Sequence, residues 1–166
     1  PVSLTTTLKD FNRATATTNT SQIASYAVPV VLVIKKNSAT LANLVDWLKE
    51  HSTTHGTDMV DQPMLLIDDE ADNASIDIKY GKGESSRING QIRELLALFR
   101  RSCYVGYTAT PFANIFIDPD TDDEVRGQDL FPRHFIFGLD APTNYFGARK
   151  VFIDGIPDDD AERASH

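Results

Sequence analysis

The sequence predicts an α/β fold of three layers around a mostly parallel sheet. Three observations carry that prediction: short β-branched runs alternate with amphipathic helical segments, the runs are continuously apolar, and polar turn signals separate them. Continuous apolar runs belong to strands covered on both faces, the habit of parallel sheets sandwiched between helices. Strand, turn and helix in succession build βαβ units, whose ligand face lies at the carboxyl ends of the strands.

Val2-Ser3-Leu4 reads as a first strand, and residues 14–21, Ala-Thr-Ala-Thr-Thr-Asn-Thr-Ser, as a mobile polar loop without period. Val28-Pro29-Val30-Val31-Leu32-Val33-Ile34 is the second strand. Asn37-Ser38 supply a helix N-cap, after which Leu41, Leu44, Val45 and Leu48 recur at helical spacing to about His51. Trp47, beside Leu44 and Leu48, either closes that apolar face or sits half-exposed. Beyond a polar loop over 53–61, Pro63-Met64-Leu65-Leu66-Ile67 forms a third strand that ends in Asp68-Asp69-Glu70-Ala71-Asp72. A polar stretch over 73–86 leads to a helix with Ile88, Ile92, Leu95, Leu96 and Phe99 on one face and Arg87, Arg93 and Arg100 on others. Cys103-Tyr104-Val105-Gly106-Tyr107 is the next buried strand, stopped by Thr108-Ala109-Thr110-Pro111, with Cys103 expected as a small core residue. Short strands are expected at 135–139 and 151–153, and the tail over 157–166, with Asp158-Asp159-Asp160, is expected to be disordered and solvated.

Composition bounds the function. With 166 residues, 41% hydrophobic and 24% charged, the chain has the makings of one packed domain. Its 24 acidic and 16 basic residues give a net charge of −8, which excludes a free-standing basic nucleic-acid module. The longest apolar stretch, 27–34, is interrupted by Pro29 and falls far short of the ~20 residues that span a bilayer. The first residues lack the charged and apolar regions of a signal peptide. The single cysteine, Cys103, excludes an internal disulfide and a thiolate zinc cage and suits a reducing cytoplasm. His51 and His55 at a helix end lack further ligands for zinc.

The acids Asp68, Asp69, Glu70 and Asp72 crowd the tip of an apolar strand. Like charges at the mouth of a low-dielectric sheet repel unless a positive group compensates, and magnesium favours carboxylate and water. An Asp that holds the metal beside a Glu that orients a water suits nucleotide hydrolysis. A solvated acidic loop is the alternative.

Leu65-Leu66-Ile67-Asp68-Asp69-Glu70-Ala71-Asp72 resembles motif II, the Walker B strand, of superfamily-two helicases and related ATPases. Tyr104-Val105-Gly106-Tyr107-Thr108-Ala109-Thr110-Pro111 resembles their motif III in its Thr-Ala-Thr-Pro form. Val33-Ile34-Lys35-Lys36-Asn37, the run 67–75, the string YVGYTATPFANIF over 104–116 and Asp129-Leu130-Phe131-Pro132-Arg133 narrow the likeness. Together they are similar to the endonuclease-type proteins that carry the Z-one domain, bacterial helicase-like ATPases of restriction and DNA repair systems. The resemblance covers residues 2–153 and implies a partial RecA-like (P-loop NTPase) lobe over 1–156. It further implies Mg2+ and ATP as cofactors of a full-length parent, DNA as its partner, and a bacterial cytoplasmic location. By position, Asp69 would hold magnesium through water and Glu70 would polarise the attacking water. Asp72 would pair with Thr108 or Thr110 and link nucleotide state to lobe movement. Asp68 is an additional acid, either a strand-end cap or a group behind the metal.

The chain also departs from that pattern. It contains no Gly-x-x-x-x-Gly-Lys-Ser/Thr. In Gly81-Lys82-Gly83-Glu84-Ser85-Ser86 the lysine is followed by glycine and no apolar strand precedes it, so this stretch reads as a flexible loop. The family pattern puts the phosphate loop upstream and an arginine-bearing second lobe downstream. The expectation is therefore a fragment of the first lobe that lacks the phosphate-loop strand. In that pattern the motif III strand lies between the phosphate-loop and motif II strands. Without its outer neighbour, 103–107 becomes an exposed apolar edge that invites a homodimer or a rebuilt edge.

Lys35-Lys36-Asn37 falls where a strand ends and a helix begins, so two cations and backbone N–H groups would face one DNA phosphate, or the lysines merely solubilise a turn. Thr5-Thr6-Thr7 is a weaker candidate of the same kind. Arg87, Arg93, Arg100 and Arg101 form no single stripe and read as salt-bridging surface. Phe112, in Pro111-Phe112-Ala113-Asn114, packs either against a second lobe or into the core.

Two other function classes remain open. One is a metal-dependent endonuclease domain using Asp68, Asp69 and Glu70, although Pro119-Asp120 and Pro157-Asp158 lack the Glu-x-Lys of a nuclease scaffold. The other is a non-catalytic interaction module in which the motifs survive as packing. Under the motor reading the purified chain binds ATP weakly and hydrolyses none. Magnesium-dependent hydrolysis by that material, abolished in Glu70→Gln, overturns the expectation.

Overall fold

The structure, a computed structural model, describes residues 1–19, 22–54, 56–73, 84–111, 122–123, 127–128, 130–145, 147 and 152. The chain divides into two compact units, Pro1–Arg133 and His134–His166. The first is mixed α/β. Strand β1 (Val2–Ser3) pairs in parallel with β2 (Val30–Val31). Strand β3 (Val60–Asp69) pairs in parallel with β4 (Phe99–Tyr107), in register from Pro63 opposite Arg101 to Asp69 opposite Tyr107. The two motif-bearing strands are thus direct neighbours that run the same way and end level. A short antiparallel ladder joins β5 (Asp122–Asp123) to β6 (Gly127–Gln128). The helices are α1 (Arg13–Asn19), α2 (Ser38–His51) and α3 (Glu84–Leu98).

Helix α2 begins where its cap dictates. Asn37 is extended, and its side chain accepts from the Thr40 amide at 2.9 Å, satisfying one of the first-turn donors. It ends with the Ser52 amide bonded to the Leu48 carbonyl, and Lys49 and His51 sit in the last turn, where cations suit the helix dipole. Its apolar stripe buries Leu44, Val45, Trp47 and Leu48 against α1, α3 and the start of β4. Trp47 is wholly buried and meets the Phe11 ring edge-on at 5.7 Å, and its Nε1 has no hydrogen-bond partner among the described residues. A smaller cluster joins Leu41 of α2 to Ile88 and Ile92 of α3 and to Leu130. On the surface between the helices Lys49 pairs with Glu94 at 2.6 Å.

Several elements differ from the sequence expectation, each for a physical reason. Residues 13–19 form a helix where a mobile loop was expected. Asn12 caps it by accepting from the Thr15 amide at 3.1 Å, and Ala16 is buried in the Trp47 cluster. The Val28–Ile34 run contributes only Val30–Val31 to a sheet, with Val28, Val31 and Val33 exposed. Strands β3 and β4 are covered on one face rather than two. Met64, Leu66 and Tyr104 pack toward the helices, whereas Leu65 and Ile67 on the opposite face are each 61% exposed. Cys103 lies opposite Leu65 in the register and is therefore exposed, not a core residue. Phe99 opens β4 instead of closing the preceding helix, and Arg93, expected at the surface, is buried. Arg100 does pair with a carboxylate, Asp61, at 3.0 Å.

Among the described residues β4 pairs only with β3. In the second unit residues 135–139 form no strand, and Phe135, Ile136, Phe137 and Leu139 are exposed. His55, Gly81 to Gly83, Phe112 to Asn114, Asp129, Val151, Ile153 and the tail from Pro157 lie outside the described residues.

The one-sided burial makes a paired prediction. Trp47→Ala is expected to cost about 3–5 kcal/mol in urea unfolding, as for large aromatics removed from a core. Leu65→Ser, on the bare face, is expected to change stability by no more than ~0.5 kcal/mol.

Candidate functional site

The level ends of β3 and β4 bring the two sequence motifs together. The Ala71 amide donates to the Tyr107 carbonyl at 2.9 Å, fastening the turn after β3 to the end of β4. A Cβ added at Gly106 would lie 2.9 Å from the Ala71 Cβ, closer than real side chains approach, so glycine is what lets the buried Ala71 sit there. Glu70 adopts a left-handed conformation with φ of 51°, which costs an L-residue roughly 1–2 kcal/mol unless the surroundings impose it. The turn closes with the Asn73 amide donating to the Glu70 carbonyl at 2.8 Å.

The four crowded acids meet different fates. Asp68 is buried: Lys36 Nζ approaches its Oδ1 at 2.9 Å and the Tyr104 hydroxyl donates to its Oδ2 at 2.8 Å. Such a carboxylate is retained in a dry site only because it is paired and hydrogen-bonded. Asp72 accepts from the Thr108 hydroxyl at 2.6 Å and from the Thr110 hydroxyl at 2.5 Å, one on each oxygen. Those two bonds, Thr108 first, hold its pKa below the usual 3.8; Lys36 adds a smaller pull in the same direction and partial burial opposes it. Asp69 and Glu70 are exposed, and among the described residues neither carboxylate pairs with a basic side chain. Among the described residues the Asp69 carboxylate accepts the Glu70 amide, at 3.1 Å.

An open depression of about 430 Å3 lies beside these groups, lined by Glu70, Asp72, Asn73, Ala109 and Thr110. Magnesium commonly takes one or two carboxylates and keeps several waters, so exposed Asp69 and Glu70 are donors of the right type. Among the described residues no group of three or more His, Cys, Asp or Glu side chains is gathered to hold a metal ion more fully.

Lys35, Lys36 and Asn37 do not act together. Asn37 is committed to capping α2. Lys36 turns to the strand tip, where its ammonium also donates to the carbonyls of Asp69 at 2.9 Å and Glu70 at 2.7 Å. Lys35 has an exposed side chain, but its backbone N–H is 3.3 Å from both oxygens of Asp10, which also accepts from the Thr40 hydroxyl. Of the threonines, Thr5 is buried and its hydroxyl accepts from the Val33 amide at 2.9 Å.

Sequence reasoning passed over Tyr104, Gly106, Ala71 and Asp10. Strand parity was the signal for two of them, since Leu66 faces Tyr104 and Asp68 faces Gly106 in the parallel register, all on the covered side. Asp10 carried no such signal. No protein-family model matches the chain, and the comparisons with curated proteins and with solved structures found no match either.

The Asp72 bridges make a pH prediction. A carboxyl whose folded pKa is depressed stabilises the fold above its unfolded pKa, near 3.9, and that contribution is lost as pH falls through the lower folded value. In the Thr108→Val, Thr110→Val double variant the Asp72 carboxyl is expected to titrate at higher pH, moving toward 3.8, as read by carbon-13 NMR of the carboxyl group.

Proposed function

We propose that this chain forms one wall of the ATP site in a helicase-like, DNA-acting motor of a restriction or repair system. In this reading it belongs to a RecA-like first lobe, and a phosphate loop from outside these residues completes the site. The observation that carries the reading is the double bridge from Asp72 to Thr108 and Thr110, which joins the motif II-like turn to the motif III-like strand end. Bridges of this kind let a change at one strand tip move the next. The exposure of Asp69, and that of Glu70 in the wall of an open depression, supports it as well.

Within this reading Asp69 would hold hydrated magnesium, which with ATP bound supplies charge stabilisation for phosphoryl transfer. Glu70 would orient a water and take up its proton, a role that needs an exposed carboxylate held at a defined angle. Asp72 would sense the turn's position through its two hydroxyl partners. The endonuclease alternative needs Asp68 as a metal ligand. The engagement of both Asp68 oxygens by Lys36 and Tyr104 weighs against it.

The test uses a longer gene product that includes a phosphate loop. Glu70→Gln is expected to lower its magnesium-dependent ATP hydrolysis by about 10²–10⁴-fold with nucleotide still bound. Wild-type turnover by that variant refutes the motor reading. Magnesium-dependent nicking of plasmid DNA by the 166-residue chain, lost in Asp68→Asn, favours the endonuclease instead.

A further inference from the structure

Among the contacts of Lys36 with described residues are three short ones at the strand tip, and two of them are of an unusual kind. Besides the Asp68 carboxylate, its ammonium reaches the carbonyl oxygens of Asp69 at 2.9 Å and of Glu70 at 2.7 Å. These carbonyls belong to the two peptide groups on either side of the Glu70 Cα. A single cation that binds both fixes the orientation of both peptide planes, and hence φ and ψ at Glu70. Glu70 is also the residue with φ of 51°, a conformation that an L-residue does not hold unaided. The Glu70 carbonyl has a second donor, the Asn73 amide at 2.8 Å, so the same oxygen anchors the turn from both sides.

We infer that Lys36 is a positioning residue: its ammonium clamps the peptide groups flanking Glu70 and so sets the direction in which the Glu70 carboxylate leaves the strand tip. The Asp68 side chain, itself bonded by the Tyr104 hydroxyl, is a third partner of the ammonium. The lysine comes from the segment just before α2, so the clamp ties the start of that helix to the turn that follows β3. The effect on hydrolysis rests on the motor reading, but the clamp itself does not, because it is a property of the turn.

The bland alternative is that Lys36 only neutralises buried Asp68. Two variants of the 166-residue chain separate the possibilities. In Asp68→Asn the ion pair is gone and the lysine remains. In Lys36→Met with Asp68→Asn both charges are gone, and no buried carboxylate is left unpaired to unfold the protein. Amide hydrogen exchange at Ala71, whose N–H donates from the turn to the Tyr107 carbonyl, and at Asn73, whose N–H donates to the Glu70 carbonyl, reports the turn's integrity. The clamp predicts near wild-type protection in Asp68→Asn. It predicts exchange at least about tenfold faster at both amides in the double variant, the loss expected for hydrogen bonds from a charged donor. The Ser52 amide at the end of α2 serves as the control and is expected not to change. Equal protection at Ala71 and Asn73 in the two variants overturns the clamp, whatever the fate of the motor reading. Absence of ATP hydrolysis in a longer product would refute that reading and leave these exchange rates untouched.

Discussion

The turn after β3 is tied to the end of β4, and the whole candidate site depends on that tie. It has two parts, the Ala71-to-Tyr107 backbone bond and the missing side chain at Gly106. Parallel pairing brings the strands to a common end, with Asp69 opposite Tyr107. The close approach then draws the loops beyond them within hydroxyl reach. Asp72 and Thr108 are far apart in sequence, and only this geometry lets one carboxylate take both threonine hydroxyls. The arrangement is rigid because it is over-determined: a backbone bond, a steric fit and two side-chain bonds each impose the same spacing.

The same geometry solves the electrostatic problem of crowded acids, though not as the sequence suggested. A bound cation was one way to relieve the repulsion. The fold instead compensates two of the acids from within, giving Asp68 an ammonium and a phenol and Asp72 two hydroxyls. What is left is a pair of adjacent exposed carboxylates, Asp69 and Glu70. The argument for a metal therefore rests on two groups rather than four. That is a smaller demand, and it suits an ion that keeps most of its water.

How much of this was legible in the sequence varied with the range of the forces involved. Helix α2 was readable to its ends because its cap, Asn37, and its apolar stripe are local. Helix α1 was not, because a threonine-rich segment has no helical stripe and its anchor, Ala16, is buried only through tertiary contact with the Trp47 cluster. The runs at 63–67 and 103–107 do fall in strands, but a continuous apolar run does not say whether one face or both will be covered, and Leu65, Ile67 and Cys103 fell on the bare side. In the site, the contact between Asp72 and the two threonines came from family resemblance and not from spacing. The Lys36 contacts were invisible, since a lysine at a strand end looks the same whether it faces solvent or a neighbouring strand tip.

That last ambiguity bears on how nucleic acid would be met. A helix N-terminus binds phosphate when its N–H groups are open and its surroundings are positive. At α2 the Thr40 amide is taken by Asn37, the Lys35 amide faces the Asp10 carboxylate, and the Lys36 charge is directed to Asp68. A phosphate approaching this end would meet Asp10 and find Lys35 as its exposed cation. With a net charge of −8 over the chain, one lysine does not make an electrostatic track, because backbone binding draws its strength from several cations acting together. If the motor reading is right, the cations that hold DNA lie elsewhere than at the start of α2. Lys36, which the sequence offered as a phosphate contact, is directed at the tip of β3 instead.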